Sequence, residues 1–274
     1  MGDHSYDYWL GKSELVEDII SECLVKRIAV TFGTETPKHG TPLPHLWHWA
    51  FFQEPVSEDL TGPDGHPVLG QFMPPVEGRN RMWAGGRLAF HTPLLVGKPA
   101  QRRTEIIKIT EKQGNTGALL FVTLRHQYIQ DNILCIDEEQ DVVYRAPTAP
   151  RLQDSGEIPM MDWQESVTPS SVMLFRYSAV TFNSHRIHYD YPYVTAIEGY
   201  SNLVVHGPLI ATLLLNSFIS NNPEKEPKHF EYRGVRPLIQ GAEFSLGGYA
   251  KTDNESVLLA FNDNGPAQQA RVTY

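Results

Sequence analysis

Apolar positions follow two different rules in two stretches of this chain. Between 104 and 129, TEIIKIT and ALLFVTLRHQYI alternate apolar with polar residues and favour β-branched ones. This is the pattern of antiparallel strands with one face on a core. Between 202 and 219, NLVVHGPLIATLLLNSFI is apolar nearly all round from Leu209 onward, which predicts a helix that other elements must surround. Pro208 fits that helix's first turn, where its missing N–H is harmless, so the helix opens at Gly207. A strongly curved antiparallel sheet wrapped round one buried helix satisfies both patterns.

The chain also repeats itself. VKRIAVTFG (25–33) and FRYSAVTFN (175–183) share Ala-Val-Thr-Phe, and PLLVG (93–97) matches PLIQG (237–241) in the same order. Strand-like segments follow each second match: TEIIKIT and ALLFVTLRHQYI in the first half, AEFSLGGYA and SVLLAFNDNGPAQQARVTY in the second. Between the halves, YRAPTAPRLQDSGEIPMMDWQESVTPSS is rich in Pro and Ser and lacks periodicity, which predicts a connector and units at 1–155 and 165–274. In the first half QFMPPVEGRNRMWAGGRLAF occupies the place before the late strands, with two prolines, three glycines and no comparable helix. The first unit is therefore read as degenerate and the chemistry is assigned to the second.

Composition narrows the function. The chain has 274 residues, 41% hydrophobic and 20% charged, with a formal net charge of −9. That acidity argues against nucleic-acid binding. Cys23 and Cys135 lack metal-ligand spacing and read as two buried thiols of a reducing compartment. The N-terminus shows no signal-peptide pattern, and the apolar run is too short to span a bilayer. A cytoplasmic enzyme or binding protein without membrane or nucleic-acid partners is expected. No GxSxG elbow or Gly-rich phosphate loop occurs, which sets aside serine hydrolases and nucleotide-cofactor enzymes.

Residues 175–209 gather Asn183, His185, Arg186, His188, Tyr189, Asp190, Glu198 and His206. Pro192 suggests a short helix over YVTAIEG with Asp190 as its N-cap and Gly199 ending it. Gly207 then lies where unpaired N–H groups and the positive dipole end of the apolar helix converge, a good place for an oxygen gaining charge. His188, with an unperturbed pKa near 6.5, suits proton transfer. His185, His188 and His206 have metal-binding chemistry but lack the expected supporting carboxylates, so no metal is expected.

This run resembles the hydratase motif of the MaoC-like family, Gly-Asp-x-Asn-Pro-Ile-His with x-Asp and a later His-Gly. His188 matches the catalytic histidine, Asp190 the later aspartate, and His206-Gly207 the His-Gly whose glycine N–H binds the thioester oxygen. Asn183 stands where the family has its catalytic aspartate, and His185-Arg186 replace Asn-Pro. The variant TFNSHRIHYD, with GYSNLVVHGPL and GQFMPPVEGRNRMWAGGRLAF, resembles a branch of itaconyl-CoA and mesaconyl-C4-CoA hydratases and mitochondrial-type hydroxyacyl-thioester dehydratases. The resemblance implies an α+β double hotdog whose first unit lacks a working motif, in a homodimer. It implies catalysis by His188 and Asn183, and an acyl-CoA thioester as substrate, with no further cofactor.

Gly207, His206, Arg186, Tyr189 and Arg87 are the expected substrate contacts. Arg186 has two readings, a substrate carboxylate or a protein acid such as Glu198. Arg79, Arg81 and Arg87, with Arg102 and Arg103 after them, read either as solvated surface or as a flexible clamp on the CoA phosphates. The aromatic run Trp47-His48-Trp49 reads as core packing. The expected reaction is hydration of a short branched dicarboxylic enoyl-CoA to citramalyl-CoA. The alternatives are a fatty-acid-synthesis dehydratase, a hotdog thioesterase, or a non-catalytic acyl-CoA binder.

Overall fold

The structure is a computed structural model that describes residues 6–76, 78–114 and 117–274. Five strands come from the first half: β1 (Ser13–Ile19), β2 (Asn80–Phe90), β3 (Pro99–Gly114), β4 (Gly117–Gln130) and β5 (Ile133–Arg145). Five come from the second: β6 (Trp163–Val167), β7 (His229–Gly234), β8 (Phe244–Thr252), β9 (Glu255–Asn262) and β10 (Gly265–Thr273). All join one antiparallel sheet in the order β1-β3-β4-β5-β2-β7-β10-β9-β8-β6. Each half contributes the same internal order, so the sheet reads alike from both ends. The seam is β2 against β7, from Gly85 opposite Arg233 to Ala89 opposite His229.

The two sequence matches become equivalent structure. The Ala-Val-Thr-Phe copies end α1 (Glu22–Phe32) and fall at the end of α2 (Ser171–Val180), each helix following its half's first strand. Ser21 and Ser170 cap them, accepting from the Leu24 and Met173 N–H groups. In PLLVG and PLIQG, Leu95 bridges to Pro42 and Ile239 to Val204. Gly97 and Gly241 both turn with φ near +85, at 85° and 86°, a conformation that favours glycine.

The buried apolar helix is α4 (Gly207–Asn221), preceded by α3 (Tyr191–Ala196). Leu209, Ala211, Leu215 and Phe218 are fully enclosed, and α4 packs on β8, β9 and β10. No helix among the described residues is long and apolar enough to cross a membrane. One cluster joins both halves, with Ile20, Phe51 and Leu88 beside Leu209, Phe218 and Leu258. The repeats therefore share a core.

The first half departs from expectation in where its missing helix belongs. Leu43 N–H donates to Leu94 O as Val205 N–H donates to Leu238 O. The counterpart of α4 therefore begins after Leu43, where a 3₁₀ turn (Trp47–Ala50) runs into Phe51 and Phe52, all buried. The Gly/Pro-rich segment instead contains β2, in the middle of the sheet. Its glycines serve close approach: a Cβ on Gly85 would strike the Tyr232 carbonyl, and one on Gly86 would lie 2.9 Å from that of Glu139. The thiols also differ from expectation, since Cys23 is exposed and only Cys135 is buried.

The buried aromatic run is held by one carboxylate. Glu138, with no exposed surface, accepts from Trp49 Nε1 at 3.0 Å and Tyr128 Oη at 3.2 Å, with His48 Nε2 3.2 Å away. Glu138→Gln puts an amide donor among these donors and should lower stability by about 1–3 kcal/mol. Urea unfolding of the variant measures this, and an unchanged midpoint would show that the carboxylate is dispensable.

Candidate active site

The motif begins where α2 ends. Phe182 takes the left-handed conformation at φ 49°, and Asn183 N–H donates to Ser178 O at 2.8 Å, turning the chain out of the helix. Asn183 Oδ1 then accepts from His185 N–H at 3.0 Å, an Asx turn that leaves the amide nitrogen of Asn183 available. A 3₁₀ turn (Arg186–His188) follows. Asp190 caps α3 as expected, accepting from Tyr193 N–H at 3.1 Å. The helix ends at Ala196, three residues before Gly199.

His188 is 7% exposed, with Nδ1 2.7 Å from the Val204 carbonyl oxygen. A carbonyl can only accept, so Nδ1 carries the proton and Nε2 presents a lone pair. Its ring lies on that of His206, centroids 3.6 Å apart and 19° from parallel. Burial lowers the His188 pKa to about 4; the Val204 bond opposes this and the His66 charge adds to it. The ring is thus neutral at pH 7, with a pKa well below the ordinary histidine value expected from sequence. His206 has no exposed surface, and its Nε2 lies 2.8 Å from Ser178 Oγ. Enclosed behind His188, it stacks on that ring and holds its plane.

The first half supplies the other side of the site. Arg186 N–H donates to Asp64 O, and its Nη1 to Pro63 O, both at 2.9 Å, while Ser184 Oγ donates to Gly65 O. A Cβ on Gly65 would collide with the Ser184 carbonyl, and φ there is +89°, so only glycine lets this loop dock. Docking brings His66 beside His185, ring centroids 4.2 Å apart, with His185 5.4 Å from His188. Asp64 Oδ2 accepts from His66 Nδ1 at 2.8 Å. Burial pushes the Asp64 carboxyl up, but the His66 bonds outweigh it and hold it at about 2. Burial pushes both histidines down, with the neighbouring His66 and His188 charges adding to this at His185.

Sequence reading missed Asp64 and His66, whose one signal was an Asp-Gly-His turn in an aperiodic segment. Donor atoms of Asp64, His66 and His185 lie within 4.8 Å of one another, a set different from the histidine trio weighed above. Asp64 and His66 already satisfy each other.

The remaining residues expected to touch substrate have these partners in the fold. Arg186 pairs with Asp190, Nε and Nη2 lying 2.9 and 2.8 Å from Oδ2, and its guanidinium covers the Tyr193 ring. Glu198 instead accepts from Tyr193 Oη. Arg87 lies on strand β2 rather than in a flexible loop, bound to Asp141 at 2.8 Å and Glu139 at 2.9 Å. It points to the sheet face opposite Leu88, away from the core, because successive strand residues alternate faces. Tyr189 Oη donates to the nearby Ser184 carbonyl.

Gly207 opens α4 as expected, with an unpaired N–H at the positive end of the helix. Its φ lies outside the left-handed range, and an added Cβ would meet nothing within 4 Å. Neither backbone nor packing calls for glycine there, and the space beside it is open.

A family model described as hydroxyacyl-thioester dehydratase type 2 matches residues 46–240. The mesaconyl-C(4)-CoA hydratase of Chloroflexus aurantiacus is 44% identical over 245 residues, covering 87% of this chain and 86% of that protein. The mitochondrial hydroxyacyl-thioester dehydratase type 2 of Schizosaccharomyces pombe is 30% identical over 260 residues, covering 82% and 86%. Among solved structures, a MaoC-like dehydratase superposes with a TM-score of 0.75 at 13% identity, over 98% of this chain and 100% of that one. A Mycobacterium tuberculosis protein described as a double hotdog superposes at 0.55 and 15% identity, over 96% and 95%.

Proposed function

Because this chain belongs to the hydroxyacyl-thioester dehydratase type 2 family of MaoC-like double-hotdog lyases, and is an acyl-CoA hydratase, we propose that its substrate is a short, branched enoyl-CoA bearing a second, free carboxylate. Mesaconyl-C4-CoA and itaconyl-CoA have that form, and both hydrate to citramalyl-CoA. The likeness to a mesaconyl-C(4)-CoA hydratase over 87% of the chain carries this reading. The filled first half agrees with it, since Trp47, Trp49, Phe51 and Phe52 occupy the place of a central helix.

The residues perform the reaction as follows. The neutral His188 Nε2 takes a proton from water held by the free Asn183 amide, and the hydroxide oxygen bonds to the β-carbon. With mesaconyl-C4-CoA, whose double bond is conjugated with the thioester, the C=C electron pair moves to the thioester oxygen, whose charge is met by Gly207 N–H and the α4 dipole. The His188 imidazolium returns its proton to the α-carbon, and the thioester re-forms. His206 holds the imidazole plane, and Arg186 joins the motif to Asp64 and Pro63.

Incubation with mesaconyl-C4-CoA, itaconyl-CoA and crotonyl-CoA tests the reading, through loss of enoyl absorbance for the two conjugated esters and chromatographic detection of citramalyl-CoA for itaconyl-CoA. Preference for a carboxylated ester is expected. Turnover of crotonyl-CoA alone would sink the dicarboxylic substrate, and release of free thiol would mean thioester hydrolysis instead. Gly207→Ala should keep or slightly raise the melting temperature, as alanine favours a helix and meets no protein atom. It should nevertheless lower kcat/KM by about tenfold or more by pushing the thioester off its donor. Full activity in this variant would show that substrate does not approach Gly207.

A further inference from the structure

The dicarboxylic substrate proposed above brings a charge that the site must neutralise, since an unpaired buried carboxylate is very costly. In either ester the free carboxylate is bonded to the carbon that receives the hydroxyl, as the citramalyl product requires. Its partner must therefore stand close to His188. Arg186 and Arg87 are committed to Asp190 and to Asp141 with Glu139.

Arg81 is not committed. It is half-buried on β2, and its guanidinium has no hydrogen bond or ion pair among the described residues. Its strand partner is Tyr144 on β5, and residues directly opposite in an antiparallel pair share a face. Tyr144 is fully buried and its hydroxyl has no partner. That face is the inner one, because Trp83, two residues on, packs against the main core. The positive charge of Arg81 bears on His66, His185 and Tyr144. His66 and His185 lead in turn to His188 by ring contacts of 4.2 and 5.4 Å. A guanidinium and a buried hydroxyl, neither with a side-chain partner among the described residues, thus flank the histidine cluster, an arrangement that suits an anion and opposes a metal dication.

We propose that Arg81, with the Tyr144 hydroxyl beside it, holds the free carboxylate of the substrate and sets the preference for dicarboxylic over simple acyl-CoA esters. Arg81 is then a specificity residue given by the first half, while the second half performs the proton transfer. This rests on the substrate reading above.

The test compares two unreactive four-carbon probes, succinyl-CoA with a free carboxylate and butyryl-CoA without one, by titration calorimetry. Wild type should bind succinyl-CoA the more tightly. Arg81→Gln should weaken succinyl-CoA about a hundredfold, and butyryl-CoA by no more than about threefold. Tyr144→Phe, which keeps the ring in its cavity, should weaken succinyl-CoA alone and by less. Equal weakening of both probes in folded Arg81→Gln, judged by its thermal melt, would overturn the proposal and assign the guanidinium to the CoA phosphates. Unchanged binding of both would overturn it also. Wild type with no preference for succinyl-CoA would sink the substrate reading itself, a result separable from either of these.

Discussion

Replacing His188 is expected to lower kcat by about 10²- to 10⁴-fold, the range for loss of a general acid–base group. Alanine is the cleanest removal, but it empties a buried site and leaves the Val204 carbonyl without its donor. A parallel His188→Gln variant guards against reading misfolding as lost chemistry. Its amide N–H can reach that carbonyl, yet an amide does not titrate. Both should show the wild-type circular dichroism spectrum, and the glutamine form should melt within a few degrees of wild type. A folded His188→Gln enzyme with near wild-type turnover of an enoyl-CoA would end the mechanism, and Asp64 with His66 would become the groups to test.

A steep loss of stability in mild acid is the second large effect expected. Burial depresses His45 and His188 to about 4, and it also pushes down His66, His126, His185 and His206. An unfolded chain binds protons at these rings below about pH 6.5, whereas the folded chain refuses them until far lower. The unfolded state therefore gains protons first, and stability falls as pH drops from about 6.5 toward the folded values. At pH 5, His45 and His188 alone account for about 2 kcal/mol each at 1.36 kcal/mol per unit. Melting temperature should fall by roughly 10 °C or more between pH 7 and pH 5. A flat curve there would show that these rings accept protons within the fold. Since His188 stays neutral until about pH 4, the acid limb of activity should follow unfolding rather than titration of the base.

How much of this was visible in the sequence depends on what each feature rests on. The helix at Gly207–Asn221 was legible because its apolar positions run nearly all round and Pro208 marks its start. Asp190 as a cap was legible from one local pattern. The repeat was legible in Ala-Val-Thr-Phe and in the two Pro-Leu segments, although that the former ends helices was not, since its Val and Thr favour strands as much. β2 was hidden because Gly85 and Gly86 look like breakers in one dimension, whereas in the sheet they admit two neighbouring strands. The arginines could not be sorted from sequence for a related reason. Arg81 and Arg87 lie six residues apart on one strand, where only alternation and a bulge between Trp83 and Gly85 decide which faces inward. Asp64 and His66 reach the site by docking across more than a hundred residues of chain, and no local pattern announces that.

The seam between β2 and β7 makes the covalent connection between the halves a matter of concentration. Residues 146–162, which carry no helix or strand, tether two bodies that meet along five residue pairs of one strand pair and a shared core. With the tether intact, each half sees the other at the high local concentration a short linker imposes. Cut there, the same surfaces would have to find each other by diffusion, and stability would follow mass action. The site would follow it as well, because His66 belongs to one piece and His188 to the other. Hydration would then titrate like a complex, appearing only as the two fragments associate.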